Sequence, residues 1–153
     1  LYGCFGPEQV EKMRQLCRMA HVITPNRTEA ALLAALPADT PAEELLAALR
    51  TRLEVENTIV TGVCRENEIG YLARLGEREM SLQYPRVAQT LHGTGDVFAA
   101  ALCGALLSCG EAPAALRQAA EFCNACVEKT AQRQPAHWYG LAFEDVLKER
   151  SGL

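Results

Sequence analysis

Four consecutive residues, Gly93-Thr94-Gly95-Asp96, stand directly before an apolar run from Val97 to Leu107. Two glycines let a chain bend so that several backbone N–H groups aim at one point. A helix that starts there adds roughly half a positive charge. Such a turn can hold an anion. An Asp beside a bound phosphate is unfavourable unless its carboxylate takes a proton from a nucleophile. An anion hole with an adjacent base is what transfer of a phosphoryl group to an alcohol needs. The plainer reading is that a carboxylate in the first turn of a helix only complements the helix dipole.

A second group is Thr24-Pro25-Asn26-Arg27-Thr28-Glu29-Ala30. Asn26 and Glu29 are three residues apart, so a helix beginning here puts both on one face. A carboxylate near phosphates suits Mg²⁺, which takes a few carboxylates together with phosphate oxygens and water. Alternatively, Asn26 caps the helix and Glu29 completes a capping arrangement. A third group is Ile59-Val60-Thr61-Gly62, where a β-branched run ends in a polar residue and a glycine. His21 and His92 read as partly buried structural residues. His137-Trp138-Tyr139 reads as a loop anchoring itself on the core.

These groups need elements to position them. Pro at a first helical position and apolar spacing predict a helix over 7–20. A short buried strand follows over 21–24, stopped by Pro25, and then a helix over 27–36. Thr40-Pro41-Ala42-Glu43 reads as a capping box opening a helix to Leu53. Strands are predicted over 57–63, 69–75 and 79–90, the last at an edge or irregular because of Pro85. Helices are predicted over 96–109, 113–131 and 142–150, with a polar, aromatic loop over 132–139. Strands interleaved with helices make an α/β layered fold, in which ligands lie beyond the carboxyl ends of the strands. Thr24-Pro25-Asn26, Thr61-Gly62 and Leu91-His92-Gly93 all fall at such ends and are expected to converge on one cleft.

The 153 residues fit a single α/β segment over 1–153, and the 49% hydrophobic and 22% charged fractions are those of a globular domain. A net charge of −4 with no basic block argues against nucleic-acid binding. The run from Val97 to Leu107 is too short to span a membrane, and the start carries no secretory signal. The seven cysteines are odd in number and irregularly spaced, which fits reduced thiols in a cytoplasm. Cys123-Asn124-Ala125-Cys126 has no second pair and lies in a helical pattern, where both thiols pack as small apolar groups. The chain begins abruptly at Leu1, which suggests a fragment or a processed chain. No G-x-G-x-x-G follows the first strand, so a dinucleotide-binding domain is poorly supported.

Thr24-Pro-Asn-x-x-Glu-Ala30, Ile59-Val60-Thr61-Gly62 and Gly93-Thr-Gly-Asp-x-Phe-Ala-Ala100, in that order, resemble the ribokinase-like superfamily and, within it, the pyridoxal/pyridoxamine kinases. The resemblance covers almost the whole chain but only about the C-terminal half of such a kinase. It implies the layered α/β/α fold, incomplete here, and ATP-dependent phosphorylation of the hydroxymethyl group of a B6 vitamer. In that family's terms the backbone of Gly93, Thr94 and Gly95 is the anion hole, and Asp96 takes the proton from the acceptor. Thr24 and Asn26 lie near the nucleotide phosphates, Thr61, Gly62 and Leu91 border the nucleotide, and Glu29 places Mg²⁺, through water. Pyridoxal kinases often carry Ser where this chain has Gly62. The related hydroxymethylpyrimidine kinases typically carry Cys where it has Asp96. The resemblance implies ATP and Mg²⁺ as co-substrate and cofactor, with a K⁺ requirement left open. It also implies a cytoplasmic homodimer in the full-length protein and little activity for residues 1–153 alone. Two alternatives stay open: a hydroxymethylpyrimidine or sugar kinase of the same superfamily, and a non-catalytic nucleotide-binding module.

Overall fold

The computed structural model describes residues 6–133 and 140–151. His137-Trp138-Tyr139 and Cys4 lie outside the described residues. In chain order the elements are α1 (Pro7–Arg18), β1 (Val22–Ile23), α2 (Arg27–Ala34), α3 (Ala42–Leu53), β2 (Asn57–Arg65), β3 (Glu68–Leu75), β4 (Arg78–Pro85), α4 (Thr94–Cys109), α5 (Ala112–Ala131) and α6 (Phe143–Ser151). One four-stranded sheet runs in the order β1-β2-β3-β4. β1 pairs with β2 in parallel, Val22 opposite Asn57 and Ile23 opposite Thr58. The later strands are joined by two residues each, Glu66-Asn67 and Gly76-Glu77, a length that only antiparallel neighbours allow. The sheet is therefore mixed and the fold is α/β. Contacts divide the chain into two compact units: one reaches Arg65 and includes Gly70–Ser81, the other takes Glu66–Ile69 and the chain from Leu82 onward.

In the first unit, Leu45, Leu49 and Leu53 recur every fourth residue along α3 and are all fully buried. They pack with Ala30 and Ala34 of α2, Ile23 of β1 and Val60 of β2 in one core. Polar side chains tie the helices to main-chain carbonyls. Arg14 of α1 donates from Nε to Leu33 O at 2.9 Å and from a terminal nitrogen to Leu32 O at 2.7 Å. A cation is thereby held at the C-terminal turn of α2, where the helix dipole favours it. Arg50 of α3 donates to Gly76 O at 3.0 Å and pairs with Glu77, so α3 grips the β3–β4 turn. Asn57 holds the same turn from the sheet, accepting from Gly76 N at 3.2 Å while donating to His21 O at 2.9 Å.

In the second unit, α4 and α5 are joined by Gly110-Glu111 and pack together, with Phe98, Leu102 and Ala105 of α4 and Leu116, Ala119 and Ala120 of α5 all buried. Cys123 and Cys126 are buried in α5 as expected, and burial, with the neighbouring Cys123, pushes the Cys126 thiol up to about 11. The six described cysteines are all free thiols. α6 is fastened to the end of α5. Thr130 Oγ1 donates to Cys126 O at 2.6 Å and accepts from Ala142 N at 2.9 Å. Arg133 pairs with Asp145 and Lys129 with Glu149, and the Arg150 guanidinium lies 5.4 Å from the centre of the Phe122 ring.

Several boundaries depart from expectation. Thr40 does not cap α3; the cap position is Pro41 with no side-chain bond, and Thr40 is instead buried with its carbonyl accepting from Arg27 at 3.0 Å. β1 is only two residues long, because Pro25 has no N–H to continue a ladder. β4 stops at Pro85 for the same reason rather than running to Thr90, and it is an edge strand, as Pro85 predicted. α2 ends at Ala34 because Ala35 turns left-handed, at φ +50°.

Candidate active site

Beyond the break at Pro25 the parallel ladder resumes for one residue, Asn26 opposite Thr61. The Thr61 N–H donates to Pro25 O at 2.9 Å. Two of the three expected groups are thus joined within the first unit by main-chain atoms. Asn26 then caps α2: its Oδ1 accepts from Glu29 N at 3.0 Å, and its own N–H donates to Glu29 Oε2 at 2.9 Å. The capping reading of this pair is therefore realised in the geometry. It occupies one carboxylate oxygen; Oε1 of the exposed Glu29 has no hydrogen bond or ion pair among the described residues. Among the described residues no three His, Cys, Asp or Glu side chains gather to hold a metal ion. Protein ligands alone do not make a cage here. Glu29 together with phosphate oxygens and water matches what Mg²⁺ accepts.

Gly62 has φ +69° inside β2. Val60 and Val63 on either side of it both enter the first unit's core. Residues three apart on a regular strand point to opposite faces, so the left-handed residue between them is a bulge. A side chain at position 62 would be strained in that conformation, which gives a physical reason for glycine where the resemblance leads one to expect Ser. A cavity of about 740 Å³ opens at the β1–α2 junction, lined by Val10 and Met13 of α1, by Leu32 of α2, and by Thr24, Asn26 and Glu29. That volume is within the range of small-molecule sites.

In the second unit, Gly93 caps α4 with φ +83°, and no side chain takes the cap's usual accepting place. The first intrahelical bond is Val97 N to Gly93 O at 3.0 Å. The N–H groups of Thr94, Gly95 and Asp96 come before it and have no partner within the helix. An uncapped glycine N-terminus is a place for an external anion. Asp96 is exposed in the first turn of α4, with no ion pair among the described residues. Cys123 Sγ donates to Thr94 O at 3.5 Å, tying α5 to the turn. Nothing in the sequence pattern signalled that contact, since Cys123 read only as a packing residue. Leu91 is half-buried. His92 and His21 are both exposed, not partly buried as expected, because each lies in a turn or loop between elements. Thr24, Asn26, Thr61 and Gly62 are placed together in the first unit, and Leu91, Gly93, Thr94, Gly95 and Asp96 are placed among themselves in the second.

A mixed α/β sheet whose first pair is parallel, with a glycine turn opening an apolar helix, is consistent with part of a ribokinase-like fold. The family model for phosphomethylpyrimidine kinase matches residues 4–140, and the chain belongs to that family. Among solved structures, it is similar to a Bacteroides thetaiotaomicron protein provisionally described as a phosphomethylpyrimidine kinase, at 30% identity and a TM-score of 0.88, over 99% of this chain and 55% of that one. A second crystal form of that protein was obtained with pyridoxal. The chain is also similar to pyridoxal kinase from Lactobacillus plantarum, at 31% identity and a TM-score of 0.84, over 99% of this chain and 58% of the other. The fold recurs in an ADP complex of Bacillus subtilis pyridoxal kinase, at 24% identity and a TM-score of 0.75, over 92% of this chain and 56% of that one. The chain thus spans a little over half the length of these structures. No curated protein matches it.

Proposed function

We propose that residues 1–153 form the nucleotide-binding half of an ATP-dependent kinase that phosphorylates the hydroxymethyl group of a B6 vitamer. The observation that carries this reading is the uncapped Gly93 turn with Asp96 in the first turn of its helix. It is supported by similarity to a pyridoxal kinase over nearly the whole chain and by the pyridoxal bound to the Bacteroides relative.

In this reading Asp96 accepts the proton of the acceptor hydroxyl as its oxygen attacks the γ-phosphorus of ATP, and ADP leaves. The backbone N–H groups of Gly93, Thr94 and Gly95 compensate charge on the phosphoryl oxygens, which is most of what such a transfer asks of a protein. Thr24 and Asn26 lie near the phosphates; Thr61, Gly62 and Leu91 border the nucleotide. Mg²⁺ would be held by Glu29 through water and would neutralise phosphate charge. The same reading makes the full-length protein a cytoplasmic homodimer acting on small molecules.

A second reading, hydroxymethylpyrimidine phosphorylation, is favoured by the family model that matches. Asp96, where those kinases typically carry Cys, favours the B6 vitamer. The test follows ADP release by the full-length protein with Mg·ATP and, in turn, pyridoxal, pyridoxamine and hydroxymethylpyrimidine. Turnover is expected with a B6 vitamer. Asp96→Asn is expected to lower kcat by about 10²- to 10⁴-fold while ATP affinity stays nearly constant. Undiminished turnover in the variant overturns the base assignment. Turnover with the pyrimidine alone overturns the acceptor.

A further inference from the structure

We infer that Gly62 is a positioning residue for the junction of β1 and β2, acting through main-chain conformation and not through any side-chain contact. The inference rests on the reading above that Thr24, Asn26 and Thr61 border a nucleoside triphosphate.

Packing does not call for glycine at this position. A Cβ built there meets nothing within 4 Å, and the residue is exposed. What calls for it is the backbone, at φ +69° in the middle of a nine-residue strand. The bulge has a specific effect on its neighbours. It lets Val60 and Val63, 0% and 4% exposed, bury in the same core, which a regular strand forbids. Thr61 and Gly62 are left between these two anchors and turn away from that core. A residue at 62 that resists the left-handed region forces the strand toward regular alternation. Val63 then leaves the core, or Thr61 rotates. Thr61 cannot rotate alone. Its N–H is bonded to Pro25 O, it bridges Asn26, and Asn26 is locked to Glu29 by reciprocal hydrogen bonds. Gly62 therefore sets the place of Thr61 and, through it, of Asn26 and Glu29.

The experiment uses the full-length protein and two substitutions. Val strongly resists positive φ, whereas Asn tolerates it and also carries a side chain. Two quantities are read: the affinity for Mg·ATP by calorimetry, and hydrogen exchange at the Thr61 amide, which needs no ligand. Gly62→Val is expected to weaken Mg·ATP at least tenfold and to speed Thr61 exchange at least tenfold. Gly62→Asn is expected to keep Thr61 exchange near wild type, and its affinity for a nucleotide that borders position 62 is not used as the control. If Gly62→Val does not fold, Gly62→Ala replaces it with the same expectation in the same direction. A folded Val or Ala variant with wild-type exchange and affinity overturns the inference. So does an Asn variant whose Thr61 amide exchanges as fast as in the Val variant, because bulk and not conformation would then be responsible. Wild-type protein that binds no Mg·ATP strikes the nucleotide reading itself, and the inference falls with it. That outcome is seen before any variant is compared.

Discussion

In the proposed reading Glu29 combines two roles in one carboxylate, and a single substitution separates them. Its Oε2 completes the cap with Asn26, and its charge is what a hydrated Mg²⁺ would use. Gln serves the third position of a capping box as well as Glu does but carries no charge. Glu29→Gln is therefore expected to melt at the wild-type temperature while the Mg²⁺ concentration for half-maximal activity rises severalfold. Asn26→Ala, which removes the cap itself, is expected to cost about 1 kcal/mol in denaturant unfolding. An unchanged Mg²⁺ dependence in Glu29→Gln shows that the carboxylate is a cap alone. Asn26 and Glu29 were legible in the sequence because spacing by three marks both a cap and a shared face. For the same reason spacing could not choose between the readings, and the structure adds that the cap is made. Gly62 was legible only as a glycine at the end of an apolar run. Its bulge depends on which face Val63 takes, a tertiary fact that alternation along the strand does not contain.

At the scale of elements, α6 is the clearest case of an element held by charge. Arg133 donates to Asp145 and holds its carboxyl below the ordinary value of 3.8. A carboxylate whose folded value is lowered stabilises the fold fully above its unfolded value, and that contribution disappears as pH falls through the lowered one. Asp145→Asn is therefore expected to melt below wild type by a constant margin from pH 8 to about pH 5, and the margin should close as pH drops below about 4. A margin that does not change with pH would show that the ion pair contributes nothing to docking α6. Both groups are partly exposed, so the margin is expected to be small. The types and order of the elements were readable throughout, since periodicity and β-branched runs report them directly. Their ends were less so. Thr40 looked like a cap by residue type, yet its burial made Pro41 the helix boundary. β1 shrank to two residues because its ladder meets a proline.

At the scale of the molecule, the chain spans 55–58% of two kinases it resembles, so an assay on residues 1–153 alone tests whether this part suffices for turnover. The expected outcome is ADP release far below that of a full-length kinase of the family under equal conditions. Comparable release would show that everything the chemistry needs lies within these residues. The fold class was legible because helices and strands interleave; Thr61-Gly62, expected at a strand end, instead lies inside β2. That Thr24-Pro25-Asn26 and Thr61-Gly62 come together was legible as an expectation, but the register that sets Asn26 opposite Thr61 was not. That register is set where two-residue β1 meets nine-residue β2, separated by α2 and α3, and no local pattern encodes that distance. That junction is made by the Thr61 amide and the Pro25 carbonyl, groups every residue or nearly every residue possesses. A lineage can exchange the side chains around such a joint without moving it. Mutation is then free to revise what the surrounding surface accepts while the joint keeps its shape. A family that shares this frame can vary the side chains around the joint while the joint itself is kept.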